Sequence, residues 1–218
     1  MLKTISKFAL IATSCFAVIG CSEEAPATQT TTASVPQEGV QYQRLPNDLS
    51  QYNLPPVTEI FSLTCGHCRQ MEDNIPTLEQ LTSHRFGKMH VIFNESAQIA
   101  AIIYYTAEMQ LGETPDHDFM IELFAAVQMG GDVTPEEQQA AISDAFESRQ
   151  LVSPYNLSPE QQEQLFPYLD MAQNASVDGE INSVPTFIVQ GQYQVITGGH
   201  ENISAMADTI TYLLNKKD

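Results

Sequence analysis

The sequence predicts an α/β fold in which a small sheet with helices packed on it is interrupted by a block made only of helices. Three observations predict it. Short apolar stretches stand at Val57 to Leu63 and Met89 to Phe93; strand signals return only at Thr186 to Gln190 and Tyr193 to Thr197; between them, from about Ser96 to Asp170, the apolar period is helical.

The chain opens with Lys3 and Lys7, runs through apolar Phe8 to Ile19 and reaches Gly20-Cys21, the three parts of an export signal. Gly20-Cys21 resembles a lipobox. Cleavage there discards residues 1 to 20, Cys15 included, and leaves Cys21 as a lipid-carrying N-terminus. An ordinary secretory signal or an uncleaved anchor is the other reading, although the apolar run is short of the ~20 residues a membrane span needs. Either way the expected destination is a compartment where disulfides persist, the periplasm, with Ser22 favouring the outer membrane by similarity to bacterial lipoproteins. Residues 21 to 40 are rich in Thr, Ala, Gln and Pro, too poor in large apolar side chains to order themselves, and read as a tether.

Without the signal, seven basic residues face 27 acidic ones, a net charge of −20. Such a surface excludes nucleic acid as a partner. The chain beyond the tether suffices for one ordinary core with an insertion or for two small domains.

Val57 to Leu63 suits a strand covered on both faces. Arg69 to Ser83 follows with Met71, Ile75, Leu78 and Leu81 in a helical stripe, and Pro76 inside it predicts a kink rather than an end. Met89 to Phe93 is the second strand. Helices are expected over Ala97 to Gln110 and Phe119 to Met129. Thr134-Pro135-Glu136-Glu137 and Ser158-Pro159-Glu160-Gln161 each offer an N-cap, a proline at the first helical position and an acid or amide at the third. A further helical segment near Met171 to Asp178, a hairpin turning at Gly191-Gln192 and a last helix over Ile203 to Leu214 complete the order.

Cys65-Gly66-His67-Cys68 lies between the first strand and the first helix. A thiolate at a helix N-terminus is stabilised by unpaired backbone N–H groups and the helix dipole, and a second cysteine three residues on can close a disulfide with it. The same tetrapeptide also serves as half a zinc site, and Cys65, His67 and Cys68 would suit copper or zinc in a metal-binding lipoprotein. His67, partly positive near neutral pH, would stabilise the Cys65 thiolate and thereby the reduced state. His84, His90, His117 and His200 show no metal-ligand spacing and read as surface or core. Glu59 is a charge in an apolar strand, costly unless paired or neutralised; it is either a solvent-facing edge residue or a partner of the buried chemistry.

The segments Val57 to Cys68, Lys88-Met89-His90-Val91-Ile92-Phe93 and Ser183-Val184-Pro185-Thr186-Phe187-Ile188-Val189 together resemble the DsbA family of thioredoxin-fold disulfide oxidoreductases. The resemblance spans roughly Gln41 to Lys217. It implies a thioredoxin-like fold, residues 41–95 and 171–218, with an inserted all-helical domain over 96–170. It further implies Cys65 and Cys68 as the redox disulfide, a cis Pro185 facing it, Val184 backbone free to pair with an extended substrate, and Glu59 and Lys88 beneath the cysteines as a proton relay for Cys68. From the residues alone Pro185 reads equally as a trans proline opening a strand. The implied activity is disulfide introduction into exported thiol proteins, with reoxidation by a DsbB-like quinone-linked membrane partner and no cofactor. A reductase or isomerase of the same fold is the alternative direction. Gly66-His67 departs from the Pro-His of many members and matches protein disulfide isomerases, two classes at about −120 and −180 mV. The lack of tryptophan and of a dimerisation segment points to a monomer.

Overall fold

The computed structural model describes residues 35–217. The export signal, Cys21 and the tether as far as residue 34 lie outside the described residues. Among the described residues, five strands form one mixed sheet: β1 (Tyr42–Arg44), β2 (Val57–Phe61), β3 (Gly87–His90), β4 (Thr186–Val189) and β5 (Tyr193–Val195), in the spatial order β1-β5-β4-β2-β3. β2 runs parallel to β3 and antiparallel to β4. Seven helices accompany them there: α1 (Gly66–Glu72), α2 (Ile75–Thr82), α3 (Glu95–Leu111), α4 (His117–Val127), α5 (Pro135–Glu147), α6 (Pro159–Asp178) and α7 (Ile203–Asn215). This is the expected α/β architecture, with α3 to α6 as the helical block.

Apolar side chains fill two layers. Ile60, Phe61, Leu63, Met89 and Val91 pack with Tyr104, Phe119 and Phe124 of the helical block. Val57, Phe187, Val189 and Val195 pack with Leu78, Met206, Ile210 and Leu213 of α2 and α7. Every residue of β2 is buried, as its continuous apolar run requires. The proline-led capping boxes at Thr134 and Ser158 are both formed, and the side chains of Asn94, Asp116 and Asn202 cap α3, α4 and α7.

Several local expectations are corrected. Pro76 does not kink one helix; the chain breaks at Asp73-Asn74, and Pro76 sits in the first turn of α2, where a missing N–H forfeits no bond. Leu81, assigned to the apolar stripe, is half exposed. The second strand begins at Gly87 and ends at His90, leaving Phe93 at the surface. Met171 to Asp178 is the end of a single 20-residue helix that runs through Pro167, so the step at residue 170 falls inside α6. Pro167 lies on the exposed face of α6, so the backbone carbonyl it leaves without an N–H partner is not sealed in the core. β1 has no counterpart among the expected strands: three residues, two of them polar, become a strand through pairing with β5.

The hairpin turn centres on Gln190 and Gly191, both at positive φ, and Gln192 N–H closes it on Val189 O at 3.1 Å. A Cβ on Gly191 would come within 3.0 Å of Ser50 N, so close backbone approach also favours glycine there. No helix among the described residues is long and apolar enough to cross a membrane.

Candidate active site

β2 ends at Phe61, and a short loop delivers Cys65 to the N-cap of α1. The loop is held from two sides. Leu63 N–H donates to buried His90 Nε2 at 2.8 Å, while His90 Nδ1–H donates to Val91 O at 2.8 Å, an arrangement that requires a neutral ring. Burial pushes the His90 pKa down to about 3. From the helical block, Gln128 Nε2 donates to Leu63 O at 2.8 Å and to Cys65 O at 3.1 Å.

Both cysteines are free thiols in very different surroundings. Cys65 is half-buried, and its sulfur accepts the Cys68 N–H at 3.2 Å as the α1 cap. Hydrogen bonding from the Cys68 thiol lowers the Cys65 pKa to about 6 against the cost of burial, and the Cys68 and His67 N–H groups and the His67 ring act in the same sense. Cys68 is fully buried. Its proton is engaged with Cys65, and burial together with the charges of Cys65 and Glu59 drives its pKa strongly upward. One sulfur is therefore a ready nucleophile and the other holds its proton.

Across from them, the Val184–Pro185 peptide is cis, and Val184 O lies 3.8 Å from Cys65 Sγ, accepting from the thiol. His67, Met71, Ser183, Val184, Pro185 and Gly198 line a groove of about 490 Å³ beside Cys65. His67 itself is exposed.

Below the cysteines lies a charge cluster. Glu59 and Lys88 stand opposite each other in the parallel β2–β3 register, which brings their side chains together in the interior. Lys88 Nζ donates to Glu59 Oε2 and, at 2.7 Å, to Glu72 Oε2 on α1. The three side chains are only 1–3% exposed. Glu59 is thus not a solvent-facing edge residue. Burial pushes its pKa up despite the neighbouring Lys88, and the two carboxylates hold Lys88 above its ordinary value although burial opposes this. Glu59 Oε1 has no hydrogen-bond partner among the described residues. Glu72 Oε1, in turn, bonds His117 Nδ1 at 3.1 Å.

The structure accordingly brings His67, Val184 and Pro185 to the surface around half-buried Cys65, with Cys68 buried behind it and Glu59 and Lys88 beneath, whereas Cys21 lies outside the described residues. Glu72, His117, His90 and Gln128 are additions. Glu72 had a local signal, standing four residues after Cys68 and so on the same helix face. His117 and Gln128 reach the site from 45 and 63 to 65 residues away in the chain, beyond any spacing rule. Among the described residues no three His, Cys, Asp or Glu side chains converge as a metal would require.

Among solved structures, the chain is similar to DsbA of Proteus mirabilis (20% identity, 83% of this chain and 98% of that one, TM-score 0.61). DsbA of Pseudomonas aeruginosa, in a single-substitution variant, matches at 23% identity over 82% and 96% (TM-score 0.61). DsbL of Salmonella enterica serovar Typhimurium matches at 18% over 84% and 100% (TM-score 0.62). The fold is that of the DsbA oxidoreductases. No family model and no curated protein matches the sequence. The DsbA fold is thus shared across nearly the whole of these structures at an identity where most side chains differ.

Proposed function

We propose that this chain is a thiol:disulfide oxidoreductase that introduces disulfides into exported proteins. The observation that carries the proposal is the asymmetry of the cysteine pair at the head of α1: a half-buried Cys65 with a pKa of about 6 above a buried Cys68 that retains its proton.

In the oxidised enzyme, a substrate thiolate attacks Cys65 Sγ. The Cys65–Cys68 bond breaks, a substrate–Cys65 disulfide forms, and the electron pair leaves on Cys68, which takes a proton. A second substrate thiolate attacks the substrate sulfur, closing the substrate disulfide and releasing Cys65 as thiolate. The low Cys65 pKa makes it a good leaving group and stabilises the reduced enzyme, which drives the reaction toward substrate oxidation. His67 contributes its charge. Glu59, beneath the pair, exchanges the Cys68 proton, and Lys88 holds Glu59 in place.

The groove beside Pro185 is the substrate site, and Val184 backbone offers main-chain pairing to an extended segment. A peptide, PWATCDS, is bound non-covalently to a cysteine-to-serine form of Proteus mirabilis DsbA, which supports an extended cysteine-containing chain as the ligand here. The N-terminal residues support export and a lipid on Cys21 facing the periplasm, on the outer membrane from Ser22. Reoxidation falls to a DsbB-like quinone-linked membrane oxidase, and the enzyme works as a monomer with no cofactor.

The test is the equilibrium reduction potential of Cys65–Cys68 against glutathione. A value near about −120 mV supports disulfide donation; one near about −270 mV, with a Cys65 pKa close to that of an ordinary thiol, reverses the direction to reduction. Gly66-His67 favours an intermediate value, near about −180 mV, at which the enzyme also reshuffles.

A further inference from the structure

The buried charge cluster meets a partly exposed side chain at His117. Glu59, Lys88 and Glu72 side chains are sealed from water, but the His117 side chain, bonded to Glu72 Oε1 at 3.1 Å, is 38% exposed. It arrives on α4, the helical-block element packed against α1. Asp116, the carboxylate next to it in sequence, is committed to capping α4 through Phe119 N–H at 2.9 Å. Glu72 is therefore the group that His117 serves. α4 has its own cap, and its buried apolar residues include Phe119, Met120, Leu123 and Phe124, so the contact that His117 adds is the one to Glu72.

A proton on Cys68 poses a transport problem. Cys68 is fully buried, so the proton it gains when the enzyme is reduced, and loses when it is reoxidised, has to cross protein. Glu59 takes it, but Glu59 is itself fully buried and has Lys88 as its neighbour.

We infer that His117, acting through Glu72 and Lys88, is the port by which the Cys68 proton enters and leaves, an inference that rests on the oxidoreductase reading above. On the way out, Cys68–SH gives its proton to the Glu59 carboxylate. Glu59–H then passes a proton to Lys88 as the Lys88 ammonium passes one of its own to Glu72, so that Lys88 stays charged throughout. With the ring in its Nε2–H tautomer, Glu72–H donates to His117 Nδ1 and protonates it, and the ring releases the Nε2 proton to water, ending with its proton on Nδ1. On the way in, water protonates Nε2 and the Nδ1 proton moves to Glu72, returning the ring to its first tautomer. One reduction and one reoxidation of the cysteine pair use each direction once, so a full turnover resets His117. Atoms and charge balance at each transfer.

His117 touches neither sulfur, so it is a positioning and proton-carrying residue. Its test is reoxidation of the reduced full-length chain by glutathione disulfide, with acid quenching and mass analysis to separate capture of glutathione on Cys65 from its displacement by Cys68. In His117→Ala and His117→Gln, capture should stay within about twofold of wild type. Displacement should slow about tenfold, less than the ~100-fold of a directly acting base because water reaches the vacated place. Added imidazole should restore displacement in His117→Ala and leave wild type unchanged. His117→Gln keeps a hydrogen-bonding side chain beside Glu72 and guards against a folding defect. Wild-type displacement rates in both variants, or slowing that imidazole does not relieve, overturn the port. A wild-type chain that captures glutathione but never closes Cys65–Cys68 overturns the oxidoreductase reading itself, and the port with it.

Discussion

Two ion pairs of this protein put the same chemistry in opposite surroundings. Arg149 Nη1 and Nη2 meet the two oxygens of Glu122 at 2.5 and 3.0 Å, with the guanidinium 4.2 Å above the centre of the Phe119 ring. The geometry is bidentate, yet Glu122 is 48% exposed and water screens the pair. Lys88 with Glu59 and Glu72 has no such solvent. Three charges are held in the interior and one carboxylate oxygen lacks a partner among the described residues, in surroundings where desolvation works against the gain from pairing. A surface pair ties α4 to the end of α5 cheaply. The buried trio has no such screening, and it lies beneath Cys68, the sulfur that holds its proton.

Breaking the buried trio should have the largest effect. Lys88→Ala leaves two uncompensated carboxylates, and denaturant titration should show a loss of about 3–5 kcal/mol. Replacing all three groups together (Glu59→Leu, Glu72→Leu, Lys88→Met) should recover that loss to within about 1–2 kcal/mol while leaving Cys68 displacement slow, which separates the functional from the structural part. Glu59→Gln is next: displacement by Cys68 should slow by about 100-fold and capture by Cys65 much less, in quenched mixed-disulfide assays. Equal rates in both steps would remove Glu59 from the proton path.

The cysteine pair sharpens the comparison through pH. Because Cys65 is held below the ordinary thiol value, alkylation of the reduced protein should titrate with a midpoint near pH 6. A depressed pKa contributes most above the unfolded thiol value and is lost as pH falls through about 6, so the reduced form should gain stability over a Cys65→Ala variant as pH rises from about 6 toward 9. The smallest effect belongs to the surface pair: Glu122→Gln should cost about 0.2–1 kcal/mol, and high salt should erase most of it.

Much of the site was legible in the sequence because its parts are local. Cys65 to Cys68 sits at a strand-to-helix junction whose periods announce it, and Glu59 stands out as a charge in an apolar strand. Lys88 and Pro185 needed the family resemblance, since nothing nearby marks a lysine as buried or a proline as facing a thiol. Glu72 stands four residues after Cys68, a local relation, but nothing in the sequence marks it as buried. His117 and Gln128 were not legible at all, because their roles exist only once α4 is packed on α1. The same holds for β1, whose polar Gln43 and Arg44 become a strand only beside β5. The apolar period continues across the break before Pro76 and hides it, while the backbone places the proline in a first turn.

The position of β2 in the sheet carries a consequence for how the chain is assembled. β2 leads into Cys65, but its two neighbours come from residues 87–90 and 186–189. On the proposed export route the chain is threaded across a membrane from its N-terminus. The parallel partner then becomes available after about thirty residues, the antiparallel one only after nearly the whole chain has emerged. Ladder formation on that side must close a loop of more than about a hundred residues, which makes it a slow, late event. Both thiols therefore cross before the strand beneath them is fully bonded and before residue 185 can shield them. A newly exported molecule is, for that interval, itself a protein with unpaired cysteines, open to exchange with finished copies of its own kind.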